Sequence, residues 1–391
     1  MKGHVEIAGA GFAGLTLATA LCQRGWTARV HESSPELRAL GAGIYIWENG
    51  LRVLKALGAY EDVVQSAHEA PLYEARLRDN SVLSSEAFGL PGRGRMLTMT
   101  RKHLYDAMLR VARAAGVEIV TSSEAAGAEA DGTLVLADGR RLAADLVVGA
   151  DGVRSNVRDA LGLLKQRTKH RDGVIRLIVQ RSPDEVGHPI WDNVINFWDP
   201  LRRILYSPCN DHELYLVLVA RASDERGVRI PVDTESWIET FPNLAAILRR
   251  IGDQGRYDLY ESNSLTAWYE GRVAIIGDAA HAMPPTLGQG AGCAMMNALG
   301  LAVALEQSSD VSSALRVWEK RERPLTEHTQ HLSRVIADER TGSDGHSKWT
   351  PEALRAATHI PTGTAGLKTD FDLRLATMAP GERLSNFGPA R

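Results

Sequence analysis

Three features of the sequence predict an α/β protein, α+β overall, in which a parallel-sheet domain is interleaved with a second, sheet-based domain and followed by C-terminal helices. The chain opens with a strand, a glycine-rich turn, a helix and a second strand inside its first 32 residues. Two later strands, ending near residues 150 and 277, each stop at an acid beside a glycine. Between these lie stretches whose apolar residues alternate with period two, the signature of half-buried strands. At 391 residues the chain exceeds a typical single domain, so two closely packed domains are expected.

The elements follow in order. Residues 4–9, HVEIAG, read as a short buried strand, FAGLTLATALCQRGW as an apolar helix, and TARVHES as a second strand, which together make a β-α-β opening. NGLRVLKALGAYEDVVQSA predicts one or two amphipathic helices, and LYEARLRDNSVLSSEAF paired strands. TRKHLYDAMLRVARAAGV predicts a helix with Leu104, Met108, Leu109 and Val111 on its apolar side. The Asp-Gly pairs of ADGTLVLADGRRL suit hairpin turns. ADLVVGADG then leaves the parallel sheet, and GVIRLIVQ, VINFW, RILYSP and ELYLVLVA return to short strands before RVAIIGDA rejoins the first sheet. Helices follow, starting near CAMMNALGLAVALE, and TPEALRAA offers a capped helix start in the tail. The expected boundaries are 1–72, 97–172 and 267–340 for the first domain, 73–96 and 173–266 for the second, and 341–391 for the tail.

Composition narrows the function. With 45 Lys and Arg against 48 Asp and Glu, the net charge of −3 gives no footprint for nucleic acid or an anionic membrane. The three cysteines, Cys22, Cys209 and Cys293, have neither metal-ligand nor CxxC spacing and are expected as buried apolar side chains. No metal site is expected. No leader pattern opens the chain and no apolar run approaches bilayer length, so a cytoplasmic protein is expected.

GAGFAG places Gly9, Gly11 and Gly14 in GxGxxG spacing after a strand and at a helix start. Gly9 permits the tight turn, Gly11 lets a pyrophosphate approach the backbone, and Gly14 allows close helix–strand packing. Phe12 and Ala13 open the helix, whose N-terminal amides attract an anion. Glu32, about twenty residues on, can accept both hydroxyls of a ribose. This Rossmann-like opening fits FAD or NAD. The second strand-end acid, Asp278 after Gly277, precedes Gly290, Ala291 and Gly292, a glycine-rich helix start that lets backbone approach a flat ring. The third, Asp151 with Gly152, also opens onto a helix. Three such sites in one chain point to a long cofactor, FAD.

In this order the motifs resemble those of the single-component flavoprotein aromatic hydroxylases of the p-hydroxybenzoate hydroxylase type, over about residues 4–335. The resemblance implies that Gly9–Gly14 bind the ADP part, that Asp151 and Gly152 serve FAD and the reductant, and that Gly277 and Asp278 hold the ribityl chain. It also places Arg101 near the FAD phosphates and ribose, and Arg38, Gly41 and Gly43 toward the cofactor. ELRALGAGIYIWENGLRVL, RILYSPCN, ELYL, GDAAHAM and QGAGCAM are similar to the branch that oxygenates carboxylated hydroxypyridines. That branch implies Arg203, Tyr215 and Tyr73 as substrate-pocket residues and Pro285 beside the flavin. INFWDPL and the tail depart from its pattern.

The activity so implied is that of an FAD-dependent monooxygenase consuming NADH or NADPH. It would hydroxylate a small carboxylated hydroxy-N-heteroaromatic with O2 through a flavin C4a-hydroperoxide, with ring opening as one outcome. Simple hydroxylation of a hydroxybenzoate-type ring and a flavin oxidase stand as alternatives; a homo-oligomer is compatible with either. The WxWxIP signature of a flavin halogenase is not visible. Arg203 is expected to pair with a substrate carboxylate or oxyanion. Since Arg202 and Arg203 face opposite ways on a strand, one points outward. Trp191, Trp198 and His281 are read as packing residues, His281 despite its place in the most motif-rich stretch of the chain.

Overall fold

The computed structural model describes residues 2–37, 42–90, 94–338 and 349–377. Its organising element is the strand His4–Ala8, where Val5 and Ile7 are fully buried. It pairs in parallel with Thr27–His31 on one side and Leu146–Gly149 on the other. Val273–Ile275 and Glu118–Val120 extend this sheet in parallel, and Tyr269–Glu270 closes one edge antiparallel. Parallel strands need cover on both faces, which is why they read as apolar runs. The helices Phe12–Cys22 and Gly290–Gln307, apolar almost all round, supply part of that cover and pack on each other.

The second sheet has seven strands in the order Tyr257–Leu265, Leu164–Gln180, Glu213–Arg221, Arg202–Pro208, Val194–Trp198, Leu72–Leu77 and Val82–Ala87. All its pairings are antiparallel except that of Val194–Trp198 with Leu72–Leu77. Period-two alternation divides its side chains between two buried faces. Ile175, Leu177, Ile204, Tyr206, Leu216 and Leu218 pack under a layer containing Trp237, Phe241 and Leu248 from the short helices Thr234–Thr240 and Ala245–Leu248. The opposite face looks toward the first domain. A small antiparallel sheet of Gly43–Trp47, Met96–Thr100 and His68–Glu69 joins the two.

Three elements differ from the sequence expectation. The strand expected from Gly173 begins at Leu164, because Leu164–Lys169 pairs with Glu261–Leu265 before the register shifts. The helix expected near Cys293 begins at Gly290, so Gly290 and Gly292 sit in its first turn rather than ahead of it. In the tail, Thr350 Oγ1 does accept from the Ala353 amide at 3.2 Å, but the helix that follows is one turn, Arg355–Thr358, with Pro361 close behind. Cys209 and Cys293 are buried and Cys22 half-buried, all as free thiols; burial pushes the Cys293 thiol up to about 12.

Candidate functional site

A cavity of about 430 Å3 lies between the two sheets. On one side it is lined by Gly11, Phe12, Ala13, Gly152, Gly277, Asp278, Gly290 and Ala291, the ends of strands and starts of helices in the first domain. On the other side are Tyr73, Arg203, Tyr215 and Pro285, with Gly43 and Arg101 between. Gly9, Gly14, Glu32, Asp151 and Gly292 are not part of its lining, and Arg38 and Gly41 lie outside the described residues.

The first domain presents shapes that suit a long anionic cofactor. Gly9 holds φ at +101°, and a Cβ there would meet the Ala150 carbonyl oxygen at 2.4 Å. A Cβ on Gly14 would stand 2.1 Å from the Gly9 carbonyl oxygen, so helix and turn touch backbone to backbone. Gly11 and Gly290 differ: no heavy atom of the described residues lies within 4 Å of a Cβ at either position. Open space in front of two helix N-termini is what a pyrophosphate and a flat ring require. Glu32 sits beside the first turn, its carboxylate accepting from the amides of Ala10 at 3.1 Å and Ser34 at 2.9 Å; each oxygen retains accepting capacity for a ribose.

Arg101 starts the helix Arg101–Ala114, which Thr100 caps by accepting from the His103 amide at 3.2 Å. Its guanidinium lies 4.9 Å from the Phe12 ring centre, and its buried Nε lacks a hydrogen-bond partner among the described residues. Burial and the nearby Arg176 charge hold its pKa below the ordinary value, with Asp278 opposing. Asp278 itself is exposed at the cavity, directly after Gly277, whose φ is +61°. Asp151 is turned inward: it accepts from the Val157 amide at 3.2 Å, and its Oδ1 is unpartnered among the described residues. Burial raises its carboxyl, against hydrogen bonds from Ser155 and backbone amides. It therefore shapes the turn whose Gly152 faces the cavity. Taken together, the open helix starts, the orphaned Arg101 Nε and the available carboxylates fit FAD.

The substrate side is built by alternation. Asn196 and Trp198, Arg203 and Leu205, Tyr215, Val217 and Val219 project from three neighbouring strands onto one face. Arg202 points the other way, but not to solvent: it clamps Asp224 at 2.6 and 2.9 Å, donates to the Ser236 carbonyl at 2.7 Å and stacks on Trp237. Arg203 is 7% exposed and lies 4.7 Å over the Trp198 ring, so Trp198 lines the cavity rather than merely packing. Trp191 does pack, against Tyr206 and Phe197 on the other face. Among the described residues no carboxylate lies within ion-pairing distance of Arg203, and its Nε has no partner.

Tyr215 packs so closely on Gly43 that a Cβ there would stand 2.2 Å from its ring. Burial pushes its phenol up, while the charges of Arg176 and Arg101 pull it down less strongly, so it is a neutral donor near pH 7. Tyr73 Oη accepts from Asn196 Nδ2 at 3.0 Å. Tyr45, hydrogen-bonded to Ser207, tilts against Tyr215 at 5.8 Å. Tyr45, Arg176, Asn196, Tyr260 and Trp349 line the cavity without having been singled out in the sequence. The alternation in GIYIW and VINFW carried a signal for Tyr45 and Asn196; nothing comparable marked Trp349.

His281 is not in the lining. It is fully enclosed, accepting at Nε2 from Asn297 at 3.1 Å with its ring 5.5 Å from Trp268. Burial holds its pKa well below the ordinary 6.5, so the folded chain refuses a proton that the unfolded chain accepts. The associated stability is full above pH 6.5 and is lost as pH falls through the folded value. A thermal-unfolding series from pH 7.5 to 5 should show Tm falling below pH 6.5. His281→Gln, which keeps an acceptor without a titrating ring, should flatten that fall by about 2–4 °C. Equal slopes in both proteins would exclude His281 as a source of the pH dependence.

Two open helix starts, a strand-end acid near each and a sheet wall carrying an arginine without a carboxylate partner among the described residues fit a flavin-binding protein with a pocket for a small ring. The chain matches the family described as FAD binding domain over residues 2–328 and belongs to it, as an FAD-dependent aromatic monooxygenase. It is 40% identical over 379 residues to the putative 2-heptyl-3-hydroxy-4(1H)-quinolone synthase AqdB1 of Rhodococcus erythropolis, covering 94% of this chain and 99% of that one. It is 41% identical over 334 residues to a 2-heptyl-3-hydroxy-4(1H)-quinolone synthase of Mycobacteroides abscessus, covering 85% and 89%. Among solved structures, the tetrameric form of 2-methyl-3-hydroxypyridine-5-carboxylic acid oxygenase superposes with a TM-score of 0.87 at 51% identity, covering 92% of this chain and 96% of that one. The sequence resemblance to the pyridine-carboxylate branch agrees with this neighbour. Among the described residues no helix is long and apolar enough to cross a membrane, and no group of three or more side chains could hold a metal ion.

Proposed function

We propose that the chain hydroxylates a compact, carboxylated hydroxy-N-heteroaromatic ring of the pyridine type, using NADH or NADPH as a transient reductant. The observation that carries this reading is Arg203, a buried guanidinium facing the cavity with no carboxylate partner among the described residues. A buried cation without a counterion costs several kcal/mol. A substrate carboxylate that accepts from its planar fork relieves that cost and fixes the ring's orientation. The 51% identical structural neighbour, an oxygenase of 2-methyl-3-hydroxypyridine-5-carboxylic acid, supports a carboxylated pyridine. Its tetrameric form likewise supports a homo-oligomer as part of the proposal.

FAD held by the first domain would supply the redox and oxygen-activating chemistry, with NADH or NADPH as the reductant. This chain's own residues bind and orient the ring: Arg203 takes the carboxylate, and Tyr215 donates to a ring oxygen or nitrogen. Tyr73, already held by Asn196, sets the far side, while Pro285, Leu205, Val217 and Val219 keep water from the reacting face. The first domain would hold FAD through Gly11–Ala13, Glu32, Arg101, Asp278 and Gly290–Ala291.

A second reading comes from the relatives named as quinolone synthases: a fused, uncarboxylated ring. It would leave the Arg203 charge uncompensated unless a ring oxyanion took that place. The two are separated by following NADH and NADPH consumption in air over hydroxypyridine carboxylates, hydroxybenzoates and 4-quinolones, with product masses read from the same reactions. We expect fastest turnover with a carboxylated hydroxypyridine. Gain of one oxygen marks simple hydroxylation; gain of one oxygen plus the elements of water marks ring opening. Coupled turnover of quinolones alone would overturn the proposal.

A further inference from the structure

We infer that Trp349, contributed by the tail, is a specificity-determining residue that limits the size of substituents the ring can carry away from Arg203. This rests on the reading of the cavity as the ring site, but not on which ring enters it. The Trp349 ring stacks on Tyr73 with centroids 4.3 Å apart and planes 26° apart, and meets Trp47 edge-on at 5.4 Å. Its Nε1–H donates to the Thr286 carbonyl at 2.9 Å, directly beside Pro285. Thr286 Oγ1 in turn donates to the Ser333 carbonyl at 2.8 Å, tying this corner to the long helix Val311–Asp338.

From residue 349 to residue 374 the segment carrying Trp349 is anchored at several points. Ala353, Leu354 and Ala357 are buried against the cluster that holds Trp47 and Met96. Further on, Arg95, 1% exposed on its side chain, binds Asp370 at 3.0 Å and Glu48 at 3.2 Å, and Thr369 Oγ1 donates to Glu48 at 2.6 Å. Arg374 adds a pair to Glu69 at 2.9 Å. A wall so held cannot yield to a longer substituent without breaking a stack and several buried polar contacts. Overpacking of that kind typically costs enough to weaken binding about 10-fold or more. The tail thus selects compact rings, whereas an extended alkyl chain needs the volume the indole fills.

The test uses the FAD-loaded protein and a 2-alkyl series, methyl to heptyl, on both a carboxylated hydroxypyridine and a 4-quinolone, with Kd read from the change in flavin absorbance. The wild type should lose about 10-fold or more in affinity between methyl and butyl. Trp349→Ala should flatten that profile to within about 3-fold, with Trp349→Phe in between; FAD content and Tm of each variant report folding. A merely structural role would weaken all chain lengths alike, and parallel profiles in wild type and variants would overturn the inference. So would a wild type that binds heptyl as tightly as methyl, or no response to any ligand in any protein. If the profile flattens on quinolones while hydroxypyridines fail to bind, Trp349 stands and the proposed substrate class falls.

Discussion

Arg203→Met should weaken binding of a carboxylated ring by about 100-fold or more while leaving the unliganded protein at least as stable as the wild type. The methionine keeps most of the volume over Trp198 and removes the charge. Losing one member of a buried, hydrogen-bonded ion pair costs about 2–5 kcal/mol, which corresponds to roughly 30- to 5,000-fold in Kd. In the free protein the balance runs the other way. Arg203 is desolvated without a carboxylate among the described residues, so its removal relieves a penalty and forfeits chiefly the stacking on Trp198. The measurement pairs two titrations, of the carboxylated ring and of its decarboxylated analogue, against both proteins, with Tm alongside. The analogue should bind both proteins about equally. If both ligands weaken together, the arginine is a general packing element; if Tm drops by more than about 5 °C, it is a structural one. Arg203→Lys should fall between, since an ammonium keeps the charge but lacks the planar fork.

Arg202 and Arg203 also show what a sequence can and cannot say about such a site. Strand alternation states that the two guanidiniums face opposite ways. Which one faces the cavity depends on Asp224 and Trp237, which cover the other face and capture Arg202. That is settled by packing between elements distant in sequence, and no local pattern encodes it. The cofactor side was more legible because its constraints are local: a tight turn, a close approach and a helix start each demand glycine at a fixed spacing. Even there the sequence could not tell that Asp151 would turn from the cavity to hold its own loop. Trp349 was illegible for a third reason. It reaches Tyr73 across 276 positions of chain through a tail whose sequence has little periodicity, and that tail is held by ion pairs of the buried Arg95 with Glu48 and with the half-exposed Asp370.

Gly11 and Gly14 share one motif, yet valine at each should fail differently. At Gly14 a Cβ would stand 2.1 Å from the Gly9 carbonyl oxygen, a backbone atom at the end of the central strand. The helix Phe12–Cys22 would have to move off the central strand, whose Ile7 side chain lies 3.4 Å from the same Cβ position. Overpacking against backbone costs about 3 kcal/mol or more, so Gly14→Val should lower the Tm of the FAD-stripped protein markedly or leave it insoluble. At Gly11 the backbone is extended and no atom of the described residues lies within 4 Å of a Cβ, so Gly11→Val should leave the Tm of the stripped protein within about 2 °C. Its side chain would instead stand in front of the helix amides that a pyrophosphate must reach. FAD affinity should therefore fall by about 100-fold, the free-energy equivalent of losing one or two charge-assisted hydrogen bonds. Both variants would hold less FAD, but only Gly14→Val would be unstable or insoluble, and the comparison of stripped proteins separates the causes. A Gly11→Val protein that binds FAD as tightly as the wild type would show that the pyrophosphate does not cross this turn. Equal destabilisation by both valines would mean that the open space at Gly11 is filled by the protein itself and that the motif serves folding alone.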